Sequence, residues 1–400
     1  MKVWIFNHYA QPPQYPGGTR HFDLAKSLNF FGCDVTIFAS SFHYTLLKEL
    51  LPKFKLSSKE TFDGVEFVLL KTSSYKKNGV RRLINIITYP ISLFLYLLSS
   101  SFVKPDIIIG STVHPFASLF GCLVAKFFKI PHVFEIRDLW PETFIDMNVW
   151  RKSSFISSFF YAVEKFTVKH SSAYIVLSPM TTSYLISRYQ IEQDSVLLLP
   201  NGVNESFYKR QKVVDGFNVV DKVTIKYVGG LDSVHGLDFL IDLAKYLPVN
   251  YDVVLVGDGK DKARLVSKAK TLNLHNVTFL PPVPKSEVPK VLSDSDLLFL
   301  CTADVFYGSE NKLYEYMAAA KPIVVASNAS HNNPVIDLGC GIVLDRNDVL
   351  ESSINLKDFV SINHDRFSSI GLKGYDYVIE NRTTTALSKK LLRFLQGICL

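Results

Sequence analysis

The sequence predicts an α/β protein built from two doubly wound domains that face each other across a cleft. Three observations carry that expectation. The chain has 400 residues, more than the roughly 250–300 at which a single hydrophobic core stops growing. Short β-rich runs alternate with stretches of helical apolar spacing in two successive series, and such alternation builds a parallel sheet wrapped by helices. Between the series stands Pro200-Asn201-Gly202, a turn signal followed by a polar stretch to about Asp221.

The first series opens with Lys2 to Phe6, a β-rich run that reads as a first strand and not as a signal peptide. Gly17 and Gly18 fall in the loop behind it, and Phe22, Ala25, Leu28 and Phe31 then recur at helical spacing before Gly32. Further strands are expected at 35–39, 107–109, 133–136, 174–177 and 196–199, with helices near 116–128 and 155–170. The second series places strands at 224–228, 253–256, 277–280, 297–301 and 323–326, and helices near 237–247, 260–272 and 313–320. Ala386, Leu387, Leu391, Leu392 and Leu395 make a last, amphipathic helix. The expected division is therefore 1–204, 205–380 and a helical segment, 381–400, that packs back on the first domain. In such sheets ligands bind at the carboxyl ends of the strands.

Composition narrows the function. With 48% hydrophobic and 20% charged residues the chain is a folded protein. A balance of 44 basic against 37 acidic residues leaves +7, which favours anionic partners such as sugar nucleotides, lipid phosphates or an anionic membrane. Nucleic acid is not expected, for no zinc finger, aromatic RNA-binding signature or dense basic helix is present. Cys33, Cys122, Cys301, Cys340 and Cys399 form no close pair and are odd in number, which points to free thiols in a reducing cytosol.

The apolar run from Leu83 to Val103 follows Lys76, Lys77, Arg81 and Arg82 and matches the roughly 20 residues that cross a bilayer. Pro90 and a serine cluster interrupt it. The preferred reading is a partly buried helix lying in the membrane interface with its basic residues at the headgroups; a true span and a helix buried wholly in the domain are the alternatives.

Three segments point to chemistry. Gly229-Gly230 follows the strand 224–228, and the next helix begins after Gly236, so unpaired backbone N–H groups at a positive helix end are ready for an anion. An ordinary glycine-containing turn is the bland alternative. Gly257-Asp258-Gly259 lacks the third glycine of a dinucleotide fingerprint and follows the domain's second strand, so no nicotinamide or flavin cofactor is expected. In the stretch from Tyr307 to Pro322, Asn311 and Lys312 stand at a helix start, and Glu315 lies one turn on, where a carboxylate accepts from ribose hydroxyls. A capped surface helix with Lys312 paired to Glu315 is the alternative.

That stretch resembles the donor-site motif of the family 4 retaining glycosyltransferases of GT-B fold, especially the branch that builds bacterial O-antigens, capsules and colanic acid and includes L-fucosamine transferases. Supporting matches run along nearly the whole chain: Gly17-Gly18, Arg137 to Glu142, Leu199 to Val203, Gly229-Gly230, Gly257 to Gly259, and Asn311 to Met317. The resemblance implies that Glu315 holds the donor ribose, that backbone from Asn311 to Leu313 and at Gly229-Gly230 surrounds the diphosphate, that Asp258 lies near the nucleotide, and that the Gly17-Gly18 loop closes over the phosphates. It implies catalysis without a metal or other cofactor, the leaving group being neutralised by backbone dipoles and basic side chains.

Three positions depart from the family pattern: Tyr307 where many members have a glutamate, Gly230 where arginine is usual and His235 where lysine is usual. Lys312 is the first candidate for meeting the phosphate charge, Arg20 the second and His235 a poorer third. On the acceptor side, Arg137, Asp138 and Glu142 are candidates for contact with the acceptor hydroxyl or donor sugar, against a purely structural ion pair from Arg137 to Asp138 or Glu142. His114 is a lesser candidate.

The implied reaction is sugar transfer from a nucleotide diphosphate sugar, with uridine the family default, to a polyprenyl-diphosphate-linked saccharide. Its expected place is the cytoplasm, peripheral on the inner face of the membrane. A nucleotide-sugar epimerase or hydrolase on the same fold, and a noncatalytic membrane-bound partner, are the rival readings.

Overall fold

The computed structural model describes residues 1–15, 18–77, 79–146, 149–208, 222–302, 311–328 and 333–399. The chain divides into two compact units, Met1–Pro200 with Thr384–Leu400, and Asn201–Phe306 with Glu310–Thr383.

The strands of the first unit are β1 (Lys2–Phe6), β2 (Asp34–Ser40), β3 (Phe42–His43), β4 (Lys48–Glu49), β5 (Ser57–Phe62), β6 (Val65–Leu70), β7 (Ile107–Thr112), β8 (His132–Ile136), β9 (Ala173–Val176) and β10 (Val196–Leu198). They make one eight-stranded sheet, ordered β10-β9-β8-β7-β1-β2-β6-β5, and a separate β3-β4 ribbon. The large sheet is parallel except where β5 pairs antiparallel with β6. Strand order reverses between β1 and β7, the point at which a doubly wound sheet opens a crevice at its carboxyl edge.

The helices of this unit are α1 (Arg20–Phe30), α2 (Val80–Ser99), α3 (Pro115–Phe128), α4 (Glu142–Asp146), α5 (Phe155–Lys169) and α6 (Pro179–Tyr189). Side chains alternate across β1 with the period of two that a strand imposes. Trp4 and Phe6 join Tyr89 and Leu93 of α2 and Ala117 and Val124 of α3 on one face. Val3 and Ile5 join Leu24 and Leu28 of α1 on the other, together with Leu387, Leu391 and Leu395 of the C-terminal helix, Thr384–Cys399. Those three leucines recur every fourth residue, and each fully buried one contributes roughly 1.5–3 kcal/mol.

Helix α2 buries Asn85, Ile86, Tyr89 and Leu93. Asn85 donates to Thr72 Oγ1 at 2.8 Å and accepts from His8 Nε2 at 2.9 Å, and Tyr89 donates to the Phe38 carbonyl at 2.7 Å. These bonds fasten α2 to its sheet, which a free bilayer span would not be. Complete burial is equally overturned, because Leu83, Ile87, Ile91, Phe94 and Leu98 lie outward and exposed.

The second unit holds β11 (Val223–Val228), β12 (Tyr251–Val256), β13 (Val277–Leu280), β14 (Leu297–Cys301), β15 (Ile323–Ala326) and β16 (Gly341–Leu344). Their order, β13-β12-β11-β14-β15-β16, is parallel throughout. Counted from β11 this is the doubly wound order 3-2-1-4-5-6, reversing between β11 and β14. Helices α7 (Leu237–Ala244), α8 (Lys262–Thr271), α9 (Val288–Ser293), α10 (Asn311–Ala318), α11 (Pro334–Leu338), α12 (Val349–Asn363) and α13 (Phe367–Asn381) cover it.

Candidate active site

At the carboxyl edge of the second sheet, the loops after β11 and β12 dovetail backbone to backbone. The Gly229 amide donates to Val256 O at 3.0 Å, and the Leu231 amide donates to Asp258 O at 2.9 Å. Gly257 has a φ of +150°, and a Cβ there would lie 1.9 Å from the Gly229 carbonyl oxygen. The Gly257 to Gly259 turn is thus a packing requirement that seats the Gly229-Gly230 loop. Asp258 is exposed, and its Oδ1 accepts from the Gly259 amide at 2.9 Å.

Lys312, in the first turn of α10, lays its stem across that loop. A Cβ at Gly229 would meet Lys312 Cε at 2.3 Å, so a glycine is what lets the lysine reach the loop. Its ammonium donates toward His235 Nε2 at 3.5 Å and sits 5.8 Å from the centre of the Tyr227 ring. Burial first, and Lys312 second, hold the His235 pKa below its ordinary value. An imidazole accepting at Nε2 is neutral, so the cation at this spot is Lys312.

Tyr316 fixes the helix that carries the lysine. Its hydroxyl accepts from the Val228 amide at 2.9 Å and donates to the Val228 carbonyl at 3.1 Å, at the end of β11. Tyr227 donates to the Gly230 carbonyl at 2.8 Å. Glu315 is half-buried one turn along α10. Burial raises its carboxyl pKa, with Lys285 and Lys312 opposing, and its charge raises the Tyr208 phenol further after burial. Lys312, Gly229, Gly230, His235 and Glu315 are brought together. Leu313 is different: its side chain is packed in the core beside Met317. Asn311 heads α10, while Gly17 and Tyr307 lie outside the described residues.

The first unit corrects two assignments. Arg20, the second candidate for phosphate charge, is turned inward: its Nε donates to Glu135 Oε1 at 3.1 Å, and its other nitrogens donate to the carbonyls of Pro200 at 2.8 Å and Leu199 at 2.7 Å. Glu135 also accepts from His21 Nε2 at 2.6 Å. The orientation of the Asn7 amide fixes that tautomer, since its Oδ1 accepts from the Tyr9 amide while its Nδ2 donates to His21 Nδ1 at 2.9 Å. The Arg20-Glu135-His21 group is a buried ion cluster binding the sheet edge to the chain at 199–200, and Gly18 beside it is exposed with open space around it.

Glu142 is likewise committed. It accepts from the Tyr161 hydroxyl at 2.7 Å and lies 3.9 Å from Arg188, whose guanidinium stacks 4.1 Å from the Tyr161 ring centre. The structural ion pair expected for Arg137 is also not found among the described residues: Arg137 makes neither pairing, and its Nε is buried without a partner. Desolvation raises the Asp138 carboxyl, with Arg137 opposing, although the residue reaches solvent. Of these candidates, Arg137 and Asp138 keep groups available to a ligand.

His114, at the start of α3, carries more than its lone position suggested. Both ring nitrogens are buried without a hydrogen-bond partner, and so is Nδ1 of His8. The two rings stand 4.9 Å apart, with Tyr9 5.7 Å from His114. Burial lowers the His114 pKa to about 3, assisted by Arg82, so the ring is a neutral donor and acceptor. His8 and Tyr9 follow β1 and His114 follows β7, on either side of the strand-order reversal. His8 was not singled out from the sequence, where only its place directly behind the first strand marked it.

Two family models match the chain in succession, Glycosyltransferase Family 4 over residues 17–207 and Glycosyl transferases group 1 over residues 210–371. The chain is a family 4 glycosyltransferase. Compared by sequence with curated proteins it matches none. Among solved structures, sucrose-phosphate synthase of Thermosynechococcus elongatus superposes with a TM-score of 0.76 at 14% identity, over 99% of this chain and 98% of that one. Anabaena Alr3699/HepE, solved with UDP-glucose, gives 0.67 at 16% over 99% and 100%. WaaG, a glycosyltransferase involved in lipopolysaccharide biosynthesis, gives 0.66 at 15% over 99% and 100%. At these identities the likeness is one of fold, and the glycosyltransferase has the GT-B fold.

Proposed function

We propose that this glycosyltransferase moves a sugar, with retention, from a nucleotide diphosphate sugar to a lipid-linked saccharide in the assembly of a bacterial surface polysaccharide. The observation that carries the donor half is Lys312, whose ammonium lies over the Gly229-Gly230 backbone at the carboxyl end of β11. The Gly229 and Leu231 amides are spent on Val256 and Asp258, so a diphosphate there meets the Gly230 amide and the Lys312 ammonium, and Glu315 stands one turn away for the ribose. The Anabaena protein's complex with UDP-glucose supports a uridine donor. No divalent ion is assigned to the reaction.

In the proposed step the bond from the sugar's anomeric carbon to the diphosphate oxygen breaks. The acceptor oxygen bonds to the same face of that carbon, and its proton passes to the departing phosphate. Lys312 and the Gly230 amide stabilise charge as it develops on the leaving group. In the first unit, Arg137 and Asp138 are assigned to the acceptor, and His8 and His114, as neutral imidazoles, bind acceptor hydroxyls. The reaction takes place at the inner face of the cytoplasmic membrane; the exposed apolar side of α2 supports that location.

The test is transfer of radiolabel from UDP-sugars, in the presence of EDTA, to lipid extracted from bacterial membranes. Label entering the lipid fraction is expected. Release of free sugar or epimer with no labelled lipid would favour the epimerase or hydrolase, and no turnover of any donor would favour a noncatalytic partner.

A further inference from the structure

The outward side of α2 continues into a wider surface. Helix α3 packs between α2 and α5, and the three lie on one side of the first sheet. Phe94 of α2 meets Phe120 of α3 with ring centres 6.3 Å apart, and Phe116 of α3 meets Phe159 of α5 at 6.5 Å. Along this surface large apolar side chains point to solvent: Ile91 is 52% exposed, Leu98 69%, Phe127 82% and Phe155 88%. A contiguous apolar face of three helices needs an occupant.

Charge narrows the choice. Helices α2 and α3 contain no acidic residue, and the only one in α5, Glu164, is buried. Lys76, Lys77 and Arg81 are exposed just before and in the first turn of α2, and Arg151 and Lys152 just before α5. Both helices follow parallel strands, so their amino ends lie at the carboxyl edge of the sheet, the edge that carries His8, His114, Arg137 and Asp138. Trp140 and Trp150 stand at the same edge, 5.5 Å apart, with the amphipathic rings that favour a membrane–water boundary.

We propose that the α2-α3-α5 face is a docking platform for an anionic lipid leaflet, with the basic residues and tryptophans at the headgroups. The platform rests on the reading of a lipid-linked acceptor and deepens it. The acidic-free face selects anionic lipid, and its basic margin sets the acceptor-side residues next to the leaflet, where a lipid-bound sugar emerges from its headgroup.

The test is co-sedimentation of the full chain with vesicles of phosphatidylcholine containing 30% phosphatidylglycerol and with vesicles of phosphatidylcholine alone. The chain is expected to sediment with the anionic vesicles and to be released by salt. Ile91→Asp with Leu98→Asp should lose at least tenfold in binding, and Lys77→Ala with Arg81→Ala roughly 25-fold, at about fivefold per basic residue. Each variant is checked for an unchanged melting temperature and for the thermal shift given by UDP-glucose. Equal binding of variants and parent, or no preference for anionic vesicles, overturns the platform. So does an oligomer that the Ile91 and Leu98 changes dissociate, because the face then belongs to a second copy. If the UDP-glucose shift survives while vesicle binding fails, the platform alone falls; loss of the shift in the parent chain counts against the donor reading.

Discussion

Replacing Lys312 by alanine removes the ammonium that, among the described residues, lies across the Gly229-Gly230 loop. About 4 Å from a phosphate oxygen, at an effective dielectric near 20, that charge is worth roughly 4 kcal/mol of attraction. Removing one preorganised group that stabilises developing charge slows turnover by about 10²–10³, or roughly 2.7–4 kcal/mol, and the two figures agree. The variant should therefore fall by that factor in kcat at saturating donor while keeping its melting temperature, since Lys312 packs on a surface loop and not in the core. A second signal comes from His235, whose pKa Lys312 holds down together with burial. Without the lysine that pKa rises toward its ordinary value, which a histidine NMR titration follows. Turnover within threefold of the parent, with His235 unmoved, refutes the assignment of Lys312.

Three further outcomes follow from the geometry. Gly257→Ala forces a Cβ to 1.9 Å from the Gly229 carbonyl at a φ of +150°, so a loss of roughly 2–4 kcal/mol in urea unfolding is expected; a change under 1 kcal/mol contradicts the dovetailed loops. Arg20→Ala leaves Glu135 buried with one partner fewer and should cost about 3–5 kcal/mol of stability, whereas Arg137→Ala should keep its melting temperature and lose activity; the reverse pattern would return Arg20 to the phosphate. Buried His114 and His132 have pKa values lowered to about 3 from 6.5. The unfolded chain therefore binds protons that the folded one does not, and stability falls as pH drops from about 6.5 toward 3, by up to ~1.4 kcal/mol per pH unit for each ring. Urea unfolding at pH 7 and pH 5 measures this, and His114→Gln should lose less than the parent.

The parallel strands were legible because each is a short apolar run between turn signals, and β13, β14 and β15 have the bounds read for them. The β5-β6 hairpin was passed over. Its Asp63-Gly64 turn, with φ of 45° and 81°, has the dipeptide signature of such a turn, but the polar edge strand Ser57–Phe62 has no apolar run to draw attention. Helix α12 was missed for a related reason: it buries Ser352 and Ser353, and hydroxyls on the inner face blur the apolar period. At the site, the glycines and Lys312 stand out in the sequence, and the fold packs the lysine against the Gly229-Gly230 loop. The inward turn of Arg20 and the Tyr161-Arg188 clamp on Glu142 depend on partners more than a hundred residues away in one case and on two separate helices in the other, which spacing does not reveal.

The central claim is that the second unit grips a pyrophosphate with the Gly230 amide and Lys312, and holds the ribose with Glu315. Calorimetric titration of UDP, GDP, ADP and dTDP in EDTA tests it most directly, on the parent chain and on Lys312→Ala and Glu315→Gln. One nucleotide should bind the parent without any divalent ion, and both substitutions should weaken it at least tenfold. Binding only when magnesium is supplied, or equal affinity in all three proteins, would contradict it.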